Sequence, residues 1–346
     1  MRKDEYRGIR HKYNPFVYSL VYHAAKAFFT LNFKDIKIHG LENLKGLDDF
    51  PVIYPPPHKS HLDYFIIPAL LYKEGFKTPV LIAGDNLFVP LIGWIYRRLK
   101  AAEFKRKAGK EEFDRSINYI NKLLENKEHI LFFPEFKKDE KGNIKTGRSY
   151  TGEFNEFSPL LVKFMKEGNY LMPIAVSYSK IPEDNSFHRL GTNKSRNKFV
   201  FQDIPYIITQ PLTNKRGEYQ INFGEPILIE KNPRRKSLLK EIHKRVGDLY
   251  TVFPSSLFAQ AIRQIGHNDI SYTVLEEKIY EIQNKLKENG AIISDSCDNI
   301  NNILDGAKNV FHHCKRNFVT FERNKVVVKN FPIVKYYSST IERLVI

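Results

Sequence analysis

Cysteine is nearly absent: Cys297 and Cys314 are the two in 346 residues. So few cannot build a disulfide framework, and the chain reads as one made for a reducing compartment. Long apolar runs are missing as well. The nearest is "FVYSLVYHAAKAFFTLNF" at 16–33, broken by His23 and Lys26, and it only just reaches the ~20 residues a membrane span needs. The first twelve residues are strongly charged, with no clean apolar run leading to a small-residue cleavage site, so no signal peptide is expected. Internal repeats and long low-complexity tracts are missing too. Acidic residues are in short supply, 39 against 55 Lys and Arg, leaving a net charge of +16. Such an excess draws an anionic partner: nucleic acid, an anionic membrane face or a phosphorylated small molecule.

What is present is a globular sequence. An apolar fraction of 42% over 346 residues supports a large packed core and argues against disorder. Short apolar runs, "PVIYP" (51–55), "PVLIAG" (79–84), "HILFFP" (129–134) and "YLMPIAVSY" (170–178), read as buried strands. "DYFIIPALLYKEG", "VPLIGWIYRRLK" and "KEEFDRSINYINKLLENK" between them read as helices, the last with Phe113, Ile117, Ile120 and Leu124 on one face. Strand–helix alternation predicts an α/β fold, a central and largely parallel sheet flanked by helices. "KFVFQDIPYIIT" and "EYQINFGEPILI" are two further strand candidates. Residues 16–31 suggest an amphipathic helix with Phe16, Leu20, Val21, Ala24, Ala25 and Phe28 at helical spacing, either packed on the core or lying on a bilayer. After "KNPRR" (231–235) the pattern turns mainly helical, ending in a hairpin, "FVTFERNKVVVKNF", that turns near Arg323–Asn324. The expected division is a helical segment at 1–35, associating with a membrane in one reading, a core at 36–230 and a C-terminal helical region at 231–346.

"PPPHKSHLDYF" (55–65) carries the first chemistry. Three prolines stiffen the approach to His58. Ser60 and Asp63 form a capping signature before an apolar run, with Ser60 as N-cap and Asp63 at the third helical position. On one continuous helix, residues five apart point about 140° apart. With His58 on a loop and Asp63 in the first turn, the two can meet. A carboxylate held there fixes the imidazole tautomer and stabilises the imidazolium; a capping aspartate beside a structural histidine is the alternative. His61 competes for the role of base but falls within the helix's first turn. Pro68 predicts a kink or a shortened helix. No serine or cysteine nucleophile is obvious nearby, so the substrate's own hydroxyl could be the group His58 deprotonates.

Taken with "AGDNLFVPLIGWIYRRLKAAEFKRK", "FFPE", "GRSYTG" and "MPIAVSY", this stretch resembles the glycerolipid acyltransferases, most closely the glycerol-3-phosphate acyltransferases. The four blocks occur in order, and the similarity runs from about Ile36 to about Ile262, with "KYYSST" weakly similar to the family's terminal aromatic motif. The resemblance implies that His58 is the catalytic base and Asp63 its partner. It puts Arg97 and Arg98 in one basic pair and Lys105 and Arg106 in the pair that holds the substrate phosphate. The third block departs from the family: residues 136–146, "FKKDEKGNIKT", separate Glu135 from Gly147, and Tyr150 replaces an arginine. Either this insert loops out and returns Arg148 to the site, or the block is split. Under the first option Glu135 meets the acceptor's hydroxyls and Arg148 its phosphate, with Gly147 and Ser149 also among the substrate-binding residues. Pro173 in the fourth block is expected to shape the site.

The activity so implied is transfer of a fatty acyl group from acyl-CoA or acyl carrier protein to the sn-1 hydroxyl of glycerol 3-phosphate, in phospholipid biosynthesis. No cofactor or metal is implied, since adjacent side chains at His312, His313 and Cys314 point apart on a helix. The setting implied is the cytoplasmic face of a membrane, with the protein peripheral on an anionic surface. Alternatives are another acceptor (a lysophosphatidate, dihydroxyacetone phosphate or a glycolipid precursor) or a non-catalytic lipid-binding scaffold. A basic nucleic-acid-binding protein is the remaining class; no RNA or DNA motif appears, so nucleic acid is not expected.

Overall fold

The computed structural model describes residues 6, 11–60, 62–84, 88, 92–105, 109–138, 144–146, 152–181, 217–313 and 316–345. Helix α1 (Pro15–Asn32) leads into β1 (Phe33–His39). The core follows as β2 (Val52–Tyr54), α2 (Asp63–Lys73), β3 (Val80–Gly84), α3 (Ile92–Arg98), β4 (Ala101–Phe104), α4 (Gly109–Glu125) and β5 (Ile130–Leu131). Strands β6 (Phe136–Lys138) and β7 (Ile144–Thr146) pair as a hairpin. Next come β8 (Tyr170–Leu171), β9 (Ile174–Tyr178), β10 (Gly217–Phe223) and β11 (Ile227–Leu228). One sheet has the order β11-β8-β2-β5-β3-β4 and is parallel except for β11. A second has the order β1-β10-β9.

Strands β2, β3 and β5 carry no charged residue because both faces of the main sheet are covered. Val52, Tyr54, Leu81, Ala83 and Leu131 face a core completed by α2. Ile53, Val80, Ile82, Ala102 and Ile130 face the opposite one, filled by Ile117, Ile120 and Leu124 of α4. "YLMPIAVSY" is not one strand: it breaks at Met172–Pro173, with β8 in the main sheet and β9 in the second. "EYQINFGEPILI" also breaks, and β10 and β11 belong to different sheets. The Gly224 N–H donates to the Pro173 carbonyl where the two crossings meet. Proline has no N–H for a ladder, so a strand that reaches one can leave its sheet there. Helix α2 runs through Pro68 and ends at Lys73, so the proline does not shorten it to its first turns. The strand candidate at 198–209 lies outside the described residues.

The C-terminal region is mainly helical, with short strands between the helices. It comprises α5 (Arg235–Asp248), β12 (Thr251–Val252), α6 (Pro254–Ile265), β13 (Asp269–Ser271), α7 (Tyr272–Glu288), β14 (Ile292–Ile293) and α8 (Ile300–Phe311). Then follow β15 (His312–His313), β16 (Arg316–Asn317), β17 (Val319–Phe321), β18 (Lys325–Val328), α9 (Phe331–Ser339) and α10 (Glu342–Val345). The expected terminal hairpin is present as β17 and β18. One apolar cluster joins Tyr54, Ile67 and Tyr219 to Phe258, Ile282, Phe311 and Tyr337, so the core crosses residue 231 without interruption. On α1, Tyr18 is buried and Tyr22 packs on that cluster, whereas Phe16 (77% exposed) and Leu20 (61%) face outward. Phe16 and Leu20 of the expected apolar stripe are thus exposed, and the inner contacts of the helix are made by Tyr18 and Tyr22. No helix among the described residues is long and apolar enough to cross a membrane.

Buried His129 stands beside β5, its Nδ1 3.2 Å from the Tyr54 hydroxyl and its Nε2 3.1 Å from the Leu47 carbonyl. Neutral imidazole satisfies both, accepting at Nδ1 and donating at Nε2. Burial pushes its pKa from 6.5 to about 4. The unfolded chain therefore binds the proton first, and stability falls as pH drops from 6.5 toward 4. The loss expected over that interval is about 3 kcal/mol. Urea denaturation at stepped pH measures it, and His129→Gln should flatten the slope.

Candidate active site

The main sheet's parallel strands direct their carboxyl ends to one edge, where open α/β sheets place their ligands. His58 follows β2, Glu135 follows its neighbour β5, and Lys105 follows β4 on the same edge. Pro55, Pro56 and Pro57 are buried and carry the chain from β2 to His58. The imidazole lies against the rings of Phe133 (4.6 Å between centroids) and Tyr64 (5.2 Å), with 12% of its side chain exposed.

Helix α2 begins at Asp63 itself, so Asp63 is the first helical residue rather than the third. Ser60 takes part in the helix start through Leu62, whose N–H donates to its Oγ at 3.1 Å. The Asp63 carboxylate is wholly buried. Its Oδ2 accepts the backbone N–H groups of Lys59 (2.7 Å) and Ser60 (2.8 Å) and lies 3.2 Å from His58 Nδ1. Its Oδ1 accepts a short hydrogen bond from the Tyr178 hydroxyl. A carboxylate at Nδ1 selects the tautomer protonated there and leaves Nε2 as the basic nitrogen. The sequence brought His58 and Asp63 forward. Tyr178 went unassigned, although it closes the fourth block.

Glu135 is 1% exposed, and its carboxylate turns inward. Oε2 accepts the His58 backbone N–H at 2.7 Å. Oε1 accepts from Asn155 N at 3.0 Å and lies 3.4 Å from the ammonium of Lys59. Lys105 Nζ is 2.5 Å from Glu103, a buried carboxylate that also pairs with Arg97. One member of each basic pair of the second block, Arg97 and Lys105, thus shares this counter-ion. The Arg98 guanidinium stacks on Trp94 at 3.6 Å. Arg106, Gly147, Arg148, Ser149 and His61 lie outside the described residues. In the β6–β7 hairpin Phe136 is the cross-strand partner of Thr146. The insert therefore leaves at Glu135 and returns to within one strand spacing.

A small apolar cleft, with a cavity volume of about 30 Å³, lies between α1 and α2, lined by Tyr18, Val21, Tyr64, Pro68, Tyr96 and Leu99. Tyr64 joins it to His58.

Residues 35–177 match the protein family described as Acyltransferase. These are the residues that build the His58–Asp63 pair and end beside Tyr178. Residues 35–177 form an acyltransferase-family domain. Curated relatives of this domain include the glycerol-3-phosphate acyltransferase of Xanthomonas axonopodis pv. citri (strain 306), 26% identical over 200 residues. That match covers 56% of this chain and 22% of the relative. The glycerol-3-phosphate acyltransferase of Pseudomonas fluorescens (strain SBW25) is 28% identical over 209 residues, 58% of this chain and 24% of the relative. The matched stretch is therefore under a quarter of those proteins' length. Among solved structures, the 1-acyl-sn-glycerophosphate (LPA) acyltransferase from Thermotoga maritima aligns with a TM-score of 0.41 and 17% identity, over 67% of this chain and 77% of that one.

Proposed function

We propose that the acyltransferase domain moves a fatty acyl group from acyl-CoA or acyl carrier protein to the sn-1 hydroxyl of glycerol 3-phosphate. The observation that carries this reading is the imidazole of His58, held through Nδ1 by a buried, multiply hydrogen-bonded Asp63. Nε2 takes the proton of the acceptor hydroxyl as its oxygen attacks the thioester carbonyl. The C–S bond breaks, the thiol leaves with the proton that the imidazolium returns, and Asp63 stabilises the imidazolium in between. Lys105, at the carboxyl edge, supplies positive charge for a phosphate, and Arg106 and Arg148 are proposed to share it. Phe16 and Leu20, exposed on α1 next to the cleft, support a peripheral setting on the anionic, cytoplasmic face of a membrane.

The test supplies purified protein with acyl-CoA or acyl carrier protein as donor. Glycerol 3-phosphate, dihydroxyacetone phosphate and a lysophosphatidate are offered as separate acceptors, and the product is read by mass spectrometry. The expected product is 1-acylglycerol 3-phosphate. Preference for a lysolipid overturns the acceptor, and absence of transfer to every acceptor overturns the reaction.

A further inference from the structure

Lys59 follows the proposed base directly, yet its side chain turns away from the imidazole into the protein and is 2% exposed. Its Nζ is 2.9 Å from the Glu153 carbonyl, 3.4 Å from Glu135 Oε1 and 3.5 Å from the Gly152 carbonyl. It also lies 5.6 Å from the Tyr250 ring centroid and 5.9 Å from that of Phe154. An ammonium is expensive to bury and is tolerated only where oxygen and aromatic partners replace its water. Here those partners come from three segments, the third being Tyr250, just before β12. Glu135 follows β5, the strand beside β2, and residues 152–154 run on from the end of the third block. Glu135 completes a closed ring: it accepts the His58 backbone N–H and pairs with the very next side chain.

The 152–155 loop is held from the far side by the C-terminal region. Gly152 has φ +76°, and a Cβ there would sit 1.9 Å from the Tyr336 carbonyl oxygen of α9. His243 of α5 donates through Nε2 to the Asn155 carbonyl at 3.0 Å and stacks on Phe154 with centroids 4.3 Å apart. The Arg343 guanidinium of α10 lies 5.3 Å from the same Phe154 ring. A continuous set of contacts therefore runs from α5, α9 and α10 through the loop to Lys59 and Glu135, and from them to the backbone of His58.

We infer that Lys59 is a positioning residue, the joint through which the C-terminal helices hold the His58 loop in register with Asp63. The inference rests on the reading of His58 as the base. Displacing a base by about 1 Å can cost about 10²-fold in rate. Lys59→Met should therefore lower kcat by about that factor, with KM for donor and acceptor within about threefold of wild type. Gly152→Ala, which disturbs the loop from the other end, should give a similar kcat loss. The double variant should be no worse than Lys59→Met, because both act on one structural unit. If Lys59→Met does not fold, the charge-neutral pair Lys59→Met/Glu135→Gln is measured in its place, with the same loss expected. A folded Lys59→Met protein with wild-type kcat, or losses that multiply in the double variant, overturns the inference. Hydrogen exchange supplies a readout independent of turnover. Peptides over 56–60 and 152–157 should lose protection together in Lys59→Met, and unchanged protection overturns the joint whatever the substrate. A wild-type protein without transfer activity counts against the proposed reaction instead.

Discussion

His58→Ala is expected to cut turnover by about 10³-fold or more while the protein melts at its wild-type temperature. General-base catalysis by a positioned side chain contributes about 10²–10⁴-fold, and the domain offers no second imidazole paired to a buried carboxylate among the described residues. The fold should survive because what the imidazole lends to structure is small. The Asp63 carboxylate keeps the N–H groups of Lys59 and Ser60 and the hydroxyl of Tyr178. The bond from residue 58 to Glu135 is made by the backbone and does not depend on the side chain. Steady-state rates and a thermal melt on the same preparation decide the matter. A well-folded His58→Ala protein that turns over normally removes His58 as the base.

Asp63→Asn should be nearly as damaging to rate and much gentler on stability than Asp63→Ala. The Oδ2 position receives two backbone N–H groups and faces His58 Nδ1, so an amide oxygen is drawn to that position. The amide NH₂ then faces the Tyr178 oxygen, which can accept. The tautomer of His58 is kept, and what is lost is the negative charge that stabilises the imidazolium. A fall in kcat of about 10²–10³-fold is expected. Alanine at 63 strands two buried N–H donors, each costing about 1–3 kcal/mol, so Asp63→Ala should also lose roughly 2–6 kcal/mol of unfolding free energy. Denaturant curves beside initial rates separate the two effects. Equal activity in Asp63→Asn and wild type would reject a role for the charge.

Much of this arrangement was legible in the sequence. Strands with apolar residues on both faces could be read from "PVIYP" and "PVLIAG", because burial on two sides leaves no alternation to decode. The meeting of His58 and Asp63 was legible because a loop-to-helix transition between them is the geometry that lets residues five apart converge. The helix start was misplaced by two residues, since a carboxylate that reaches back to Lys59 and Ser60 looks the same in sequence at either position. Sheet membership was not legible at Pro173 or Pro226: a proline states that a ladder bond is missing, not which sheet the chain then joins. Lys59, Tyr178 and the Gly152 loop were not legible either. Their partners lie 76 or more residues from the first, 115 from the second and 184 from the third, and nothing local in the sequence records such pairings.

The hairpin after Glu135 has a consequence for how this chain can vary. Because Phe136 and Thr146 oppose each other across one rung, the two ends of the eleven-residue insert lie one strand spacing apart. The cost of closing such a loop rises only slowly with its length. Residues can then be added or removed at the tip without shifting either end. The rung thus separates two evolutionary freedoms: the insert can change in length and charge, while the spacing of the block it interrupts stays as it is.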